Sequence, residues 1–455
     1  MANLKSGIAK ANITPPVGMM MSGYASRKTP AVGILDELNT VVLYITDGET
    51  EAALVTADII GISGEGTARV REACNAVSGV PPENVMVAFS HTHGGPQTNL
   101  RRGDPSDDLM NAYARVLVNK IAGALSEAKL NSVPVSIGYA KQDCSVGMNR
   151  REKRQDGVVI LGENPHGPVD SVTNVICINS LDNGNPISII FSCAAHGTTM
   201  TGDNYKYTAD YPGRAKQFVD GNIPGVTSGF IAGCSGDINP YPRSDYKYVE
   251  QHGKSLGCAV IQAAINIENP VDEAKIAVAI DNFEFNLAEK PTLEEAKAKL
   301  ASIQKKANEE IEKAKQANEG KPVDEKKVLN WFTARSLNGA KALVEDLENG
   351  RERFTIPAET QSLAIGDLAI VGMPGEIFVN IGKQVAEKSP FKTTISISHT
   401  NGAVGYVPTE EQIPLGGYEI QHARASLYGI FIEPQSDQVL IDSALRALQK
   451  CYNNE

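Results

Sequence analysis

Three stretches of this chain repeat one order of elements, and that order limits the fold more than any single motif does. The first has the β-like runs "TVVLYITDG" and "EAALVTADIIGI", a helical stretch around 66–78, then "NVMVAFSHTHGG". The second has "TNVICINSLDNGNPISIIFSCAAHGTTM", a helix from Pro212 to Val219, then "TSGFIAGCSGDINP". The third has "QSLAIGDLAIVGMPGEIF", a helix from about Glu376 to Glu387, then "TTISISHTNGAVGY". Each reads as a β-hairpin, a helix and a further strand, with "DNGN" at 182–185 and "IGD" at 365–367 as hairpin turns. The expected class is α/β, with repeated hairpin–helix–strand units forming mixed sheets. Polar residues fall at matching strand ends. Asp58, His196 and Glu376 close the second hairpin strands, while His91/His93, Asp237 and His399/Asn401 close the strands after the helices. Strand ends on one rim are where α/β folds assemble sites, and this set is rich in metal-ligand types, so a metal site is expected there.

A segment at 291–350 departs from the pattern and turns to Lys, Glu and Ala. Leu293, Leu300, Ala307 and Ala314 recur at heptad spacing, with Ala296, Ile303 and Ile311 near the partner positions, which places small apolar groups on one helix face. After the break "NEGKPVDEKK" at 318–327, a second helical pattern runs through Trp331, Leu337, Leu343 and Leu347. The segment reads as a helical hairpin inserted into another fold, a lid or a dimer contact in preference to a catalytic element. A homo-oligomer stays open on that ground.

The net charge of -11 and pI near 5.3 argue against a nucleic-acid binder. The local basic run Arg150, Arg151, Lys153 and Arg154 reads as a solvated loop. The start "MANLKSGIAKANITPP" lacks the apolar core of a signal peptide, and no apolar run is long enough for a membrane span. Seven scattered cysteines without a CxxC pair read as reduced thiols. The expected location is cytoplasmic, and the expected partner is a small molecule.

His91 and His93 flank one residue, and on a strand this spacing puts both imidazoles on one face. Imidazole nitrogens suit zinc, and the following Gly-Gly-Pro bends the backbone to leave room for a ligand. His196 ends a buried apolar run, where a metal ligand and a hydrogen-bonded core histidine are both accommodated. Glu376 follows a Pro-Gly turn, and a helix start would favour a glutamate there on structural grounds alone. Asp210 is accounted for as a helix cap and Asp237 as a turn residue. "GCSG" is not the G-x-S-x-G elbow of serine hydrolases, so Ser235 is given no nucleophile role. No phosphate-cradling glycine motif is present.

Taken together these pieces resemble the neutral/alkaline (non-lysosomal) ceramidase family, in its N-terminal zinc amidase domain. "SHTHGGPQ" is similar to the family's SHTHSGP, "MNRR" to its NR, "AAHGTTM" to its strand-ending His before a Thr/Ser-Met pair, and "GDINP" to its GDVSP. "PGEIF" matches a glutamate-bearing turn, and "NGAVGYVPTEEQIPLGGYEIQHARASLYG" resembles a tyrosine-rich segment. The likeness runs from about Gly7 to the end and is least in the 291–350 hairpin. It implies one catalytic domain over 1–455, cleavage of an N-acyl amide bond of ceramide or another small amide, and zinc as cofactor. It also implies zinc ligands His91, His196, Glu376 and Tyr406, with His93 beside the metal without necessarily binding it and Arg150 and Tyr418 lining the substrate pocket. The near-neutral pKa of an unperturbed imidazole makes His93 the choice of general acid/base.

A phenolic ligand departs from the general rule for zinc, and chemistry alone would rank Asp58 or Asp237 above Tyr406. His399 is the competitor for that ligand position. The sequence departs from the family at Asn239, where the family has Ser, and at "HGGPQ", where it has HSGPG-like residues. Two other readings stay open: a dinuclear metallohydrolase such as a phosphoesterase using Asp58, Asp210 and Asp237, and a non-catalytic binding protein on the same scaffold.

Overall fold

The computed structural model describes residues 2–98, 108–287, 290–319, 322–323, 328–329, 331–422 and 432–453. Eight strands form the larger sheet, in the order Thr227–Ala232, Pro186–Cys193, Val172–Ser180, Val133–Asp143, Lys5–Asn12, Asn39–Thr46, Glu51–Ala57 and Val85–Phe89. A second sheet has the order Ile276–Asn286, Thr355–Ile365, Leu368–Gly372 and Thr393–Ile397. Both sheets are mixed.

The mixture has a local cause. Asn39–Thr46 and Glu51–Ala57 pair antiparallel, the helix Gly64–Ser78 crosses over, and Val85–Phe89 returns parallel to Glu51–Ala57. Val172–Ser180 and Pro186–Cys193 do the same, with helix Asp210–Asn222 and strand Thr227–Ala232. Thr355–Ile365 and Leu368–Gly372 follow suit, with helix Val379–Lys388 and strand Thr393–Ile397. Tight turns permit only antiparallel neighbours, while a crossover helix permits a parallel one. Strands such as Val85–Phe89 and Leu368–Gly372 are buried at every residue, which is why they read as unbroken apolar runs.

The sheets pack face to face. Leu43, Leu54, Met86, Ile178 and Ile190 from the larger sheet meet Leu363, Ile370, Ile395 and Ile397 from the smaller. Helices cover both outer faces, giving four layers. Helices Gly64–Ser78 and Asp108–Leu130 cover one half of the larger sheet, and Asp210–Asn222 and Tyr246–Ile265 the other. Helices Val379–Lys388 and Ser436–Asn453 cover the smaller sheet.

Helices Leu293–Ala317 and Trp331–Glu348 form the hairpin, and a capping box between Thr292 and Glu295 starts the first. Its apolar stripe faces inward, since Ala296, Leu343 and Val344 join the cluster that holds Phe285, Phe354, Ile377 and Tyr406. Parts of the 318–327 break, and residues 423–431 carrying "ARASLYGIF", lie outside the described residues.

Two expectations are corrected. Arg150 and Arg151 are not a solvated loop, because they sit on the strand Gly147–Lys153 at 4% exposure each. Glu376 does not start a helix. It lies in the two-residue strand Glu376–Ile377, and the helix begins at Val379.

At the rim the two sheets are joined through their strand ends. Ala88 bridges Thr400, the Phe89 amide donates to His399 O at 3.1 Å, and the Asn401 amide donates to Val87 O at 2.8 Å. The Asn401 side chain completes the junction, accepting from the Val87 amide at 2.8 Å and donating to Gln361 Oε1 at 2.7 Å. Asn401 is thus a structural tie between sheets, and its turn carries the third stretch to the first.

Candidate metal and active site

The histidine pair does not reach the rim on a strand. Val85–Phe89 ends first, and His91 takes a left-handed conformation with φ 55°. A non-glycine residue is strained there, so the surrounding contacts must hold it. The turn still brings the rings together. Ring centroids of His91 and His93 are 5.1 Å apart, His91 and His196 5.1 Å, and His93 and His196 5.9 Å. Ligand nitrogens of the three all lie within 4.8 Å of one another, so the group could hold a metal ion.

Hydrogen bonding fixes which nitrogens face the centre. His91 Nδ1 lies 2.7 Å from Ile60 O, and His196 Nδ1 lies 2.6 Å from Ser235 O and 3.2 Å from Ile238 O. A carbonyl only accepts, so both Nδ1 atoms carry hydrogen, and each ring in its neutral form presents a bare lone pair at Nε2. Those lone pairs converge on one carboxylate oxygen. Glu376 Oε2 is 3.0 Å from His196 Nε2 and 3.6 Å from His91 Nε2. Burial, with Arg150 adding to it, brings the His196 pKa down to about 4, so an imidazolium does not supply the missing positive charge near neutrality. Burial pushes the Glu376 carboxyl up, but His196 and His91 outweigh it and hold the group well below the usual carboxylate range. Lone pairs facing an anion need a cation between them. The donor set therefore fits a metal ion, with the backbone carbonyls as the orienting partners.

Tyr406 is brought alongside by β-pairing, since Glu376 and Tyr406 are direct partners in a parallel ladder. Its hydroxyl accepts from Arg150 Nη2 at 3.0 Å, and burial with the Glu376 charge raises its pKa well above the usual phenol value. Arg150 is pinned at every nitrogen: Nε donates to Glu419 Oε1 at 2.8 Å and Nη1 to Asn239 Oδ1 at 3.1 Å. Its guanidinium lies over the rings of Tyr406 and Tyr418, at 5.5 and 6.0 Å from their centroids. Tyr418 is half-buried, its ring 5.9 Å from that of Tyr406.

The remaining candidates are engaged elsewhere. Both oxygens of Asp58 bind Lys216 Nζ, at 2.8 and 2.7 Å, so an ammonium stands where a second metal was conceivable. Asp237 accepts from Asn149 Nδ2 at 3.0 Å and the Val379 amide at 2.9 Å. Asp210 accepts from the Met200 and Tyr211 amides at 3.0 and 2.7 Å. None of the three belongs to the histidine group among the described residues. His399 stacks flat on His91, 3.8 Å between centroids and 12° between planes. Imidazoles bind metals in their own plane, and two near-parallel planes share no point where one ion could sit. His399 therefore does not share an ion with His91.

No protein-family model and no curated protein matches this sequence. Solved structures do. A neutral ceramidase from Pseudomonas aeruginosa superposes with a TM-score of 0.71 at 18% identity, over 99% of this chain and 75% of that one. A ceramidase complexed with C2 superposes with a TM-score of 0.70 at 17% identity, over 99% and 76%. The fold is that of neutral ceramidase. The ceramidase fold thus extends over essentially the whole chain, including the rim that gathers His91, His93, His196, Glu376 and Tyr406.

Glu419 and Tyr24, which the sequence does not mark, and Arg151, which it marks only as part of a basic run, complete the site. Glu419 Oε2 accepts from Arg151 Nη1 at 2.7 Å, and Arg151 also donates to Gln412 Oε1 at 2.9 Å and Gly416 O at 2.8 Å. The one available signal was the adjacent pair Arg150-Arg151 on a β-patterned strand. Alternation would bury one of them, and a buried arginine requires an acid.

Proposed function

We propose that this protein is a zinc-dependent amidohydrolase that cleaves the N-acyl bond of a ceramide-like or other small amide. The whole chain, 1–455, would form one catalytic domain with the 291–350 hairpin inserted, and its three hairpin–helix–strand stretches would be copies of one unit. The observation that carries the proposal is the convergence of two Nε2 atoms, from His91 and His196, on one oxygen of Glu376, with both Nδ1 atoms held by backbone carbonyls. The likeness of fold to ceramidases supplies the amide-cleaving chemistry.

His91, His196 and Glu376, with Tyr406 as a fourth ligand, would hold the zinc. Bound there, zinc supplies Lewis acidity toward an amide carbonyl and a water acidic enough to attack near neutral pH. The protein does the rest. Arg150, buried and held by Glu419, keeps a fixed positive charge beside the place where negative charge develops on the carbonyl oxygen. Tyr418 adds a hydroxyl on the same side. His93 takes the proton released by the attacking water and returns it to the leaving nitrogen.

The grouping of His93 with His91 and His196 also fits a three-histidine metal site. One observation favours the proton-carrying role. No carbonyl fixes the His93 tautomer, whereas one fixes each of the other two, and neither His93 nitrogen has a hydrogen-bond partner among the described residues. Among those residues no helix is long and apolar enough to cross a membrane.

The test is a panel of N-acyl substrates, short-chain ceramides and N-acyl amino acids included, assayed with wild type and His93→Gln. The expected result is hydrolysis of at least one member, with kcat lowered about 10²–10⁴-fold in the variant and metal retained. No hydrolysis of any amide by metal-replete wild type contradicts the proposal. Loss of metal in His93→Gln would make His93 a ligand instead.

A further inference from the structure

His91 and His196 are each oriented by a hydrogen bond from Nδ1 to a backbone carbonyl. His93 has no such bond at either nitrogen among the described residues. Something else must set the plane of its ring. The Tyr24 ring meets it edge-on, 4.9 Å between centroids and 69° between planes. Gly23 lies against the imidazole itself. Its φ is 91°, and a Cβ there would fall 2.4 Å from His93 Cγ and 2.6 Å from Nδ1. Only glycine offers both that conformation and that clearance.

The segment bearing these two residues is bound to the histidine turn along its length. Met21 bridges Pro96, the Ser22 amide donates to Gly95 O at 3.0 Å, and the Gln97 amide donates to Met20 O at 2.8 Å. Arg27 Nη1 donates to Ser22 O at 2.7 Å and His93 O at 2.5 Å, and its Nε donates to Asn204 O at 3.0 Å. Tyr24 is held at both ends. The Arg27 guanidinium lies 4.9 Å over its ring, and its hydroxyl donates to Met200 O at 2.8 Å while accepting from Arg243 Nη2 at 3.0 Å.

We propose that Gly23 and Tyr24 form a packing seat that sets the orientation of the His93 imidazole for amide cleavage, with Tyr24 as a positioning residue. The inference rests on reading His93 as the proton carrier. A carbonyl bonded to Nδ1 would pin one proton, as it does in His91 and His196. A seat made of ring edge and backbone fixes the ring plane while bonding neither nitrogen.

The test uses metal-replete Gly23→Ala, Tyr24→Ala, Tyr24→Phe and His93→Gln, measuring kcat and KM separately, metal per chain, and ring ¹H–¹⁵N resonances in histidine-labelled protein. In Gly23→Ala and Tyr24→Ala, kcat is expected to fall about 10–100-fold with KM within about threefold, the metal retained and the His93 resonances displaced. Tyr24→Phe, which keeps the ring edge, should recover most of that kcat. Unchanged kcat and His93 resonances in Tyr24→Ala overturn the seat, and so does an activity loss that tracks metal loss or unfolding. Wild-type kcat in His93→Gln would overturn the proton-carrier reading instead. The seat is then judged on the resonances alone: displacement in Tyr24→Ala supports it, and none overturns it.

Discussion

His196→Ala should yield protein that folds, binds no metal, and hydrolyses amides at least about 10³-fold more slowly than wild type. The histidine is fully enclosed, with its Nδ1 on two backbone carbonyls and its Nε2 on Glu376. Truncation removes one proposed metal donor and one hydrogen bond at each of the Ser235 and Ile238 carbonyls, which keep the backbone amides of Ile238 and His196 as donors, a cost of about 0.5–1.5 kcal/mol that a domain of this size survives. It also takes from the Glu376 carboxylate its nearer imidazole, leaving His91 at 3.6 Å and the Tyr406 hydroxyl. The variant therefore separates binding from folding: metal analysis reads the first, and circular dichroism with a urea midpoint reads the second. Retained metal together with retained kcat would remove His196 from the site.

Glu419→Gln should lose about 3–5 kcal/mol of folding stability and most of the activity. The Glu419 side chain is 1% exposed, and its two oxygens hold Arg150 and Arg151, whose side chains are 5% and 3% exposed. Removing the one anion leaves two buried guanidinium groups facing an amide. Function follows because the arginines hold the site. Arg150 donates to the Tyr406 hydroxyl, and Arg151 fixes Gln412 and Gly416 just ahead of Tyr418.

The pH dependence has a definite sign. Burial pushes the Glu419 carboxyl up, but Arg150, backbone hydrogen bonding and Arg151 outweigh it, so its folded pKa is depressed. A depressed carboxyl stabilises the fold fully above its unfolded pKa of about 4.3, and that stabilisation is lost as pH falls through the folded value. The gap in urea midpoint between wild type and Glu419→Gln should be full at neutral pH and shrink in acid. A gap that is constant with pH would show that the charge of Glu419 is not what stabilises the fold.

What the sequence made legible was local. Unbroken apolar runs with Asn-Gly or Gly-Asp turns between them mark strands that are buried on both faces, and the helices follow from 3.6-residue periodicity. His91, His93, His196, Glu376 and Tyr406 do gather at one rim, and residue types with the repeat pattern sufficed to nominate the first four. Tyr406 came only from family resemblance, because nothing local says that a β-ladder of two residues sets it beside Glu376. The errors were of one kind. Arg150 and Arg151 looked solvated because their counterion, Glu419, lies 269 and 268 residues away. Asp58 looked like a ligand because Lys216, 158 residues on, gives no local sign of the ion pair. His-x-His looked like a strand because the spacing of the two histidines gives no sign of the positive φ at His91. Nothing local marks Tyr24, whose role depends on packing against a ring in a distant turn.

The central claim is a single metal held by His91, His196, Glu376 and Tyr406, and metal content per chain tests it most directly. Protein purified without chelator should carry one zinc per chain, lose amide hydrolysis on chelation, and regain it when zinc is returned. No zinc, with no activity restored on adding it, would contradict the account, and so would two metals per chain.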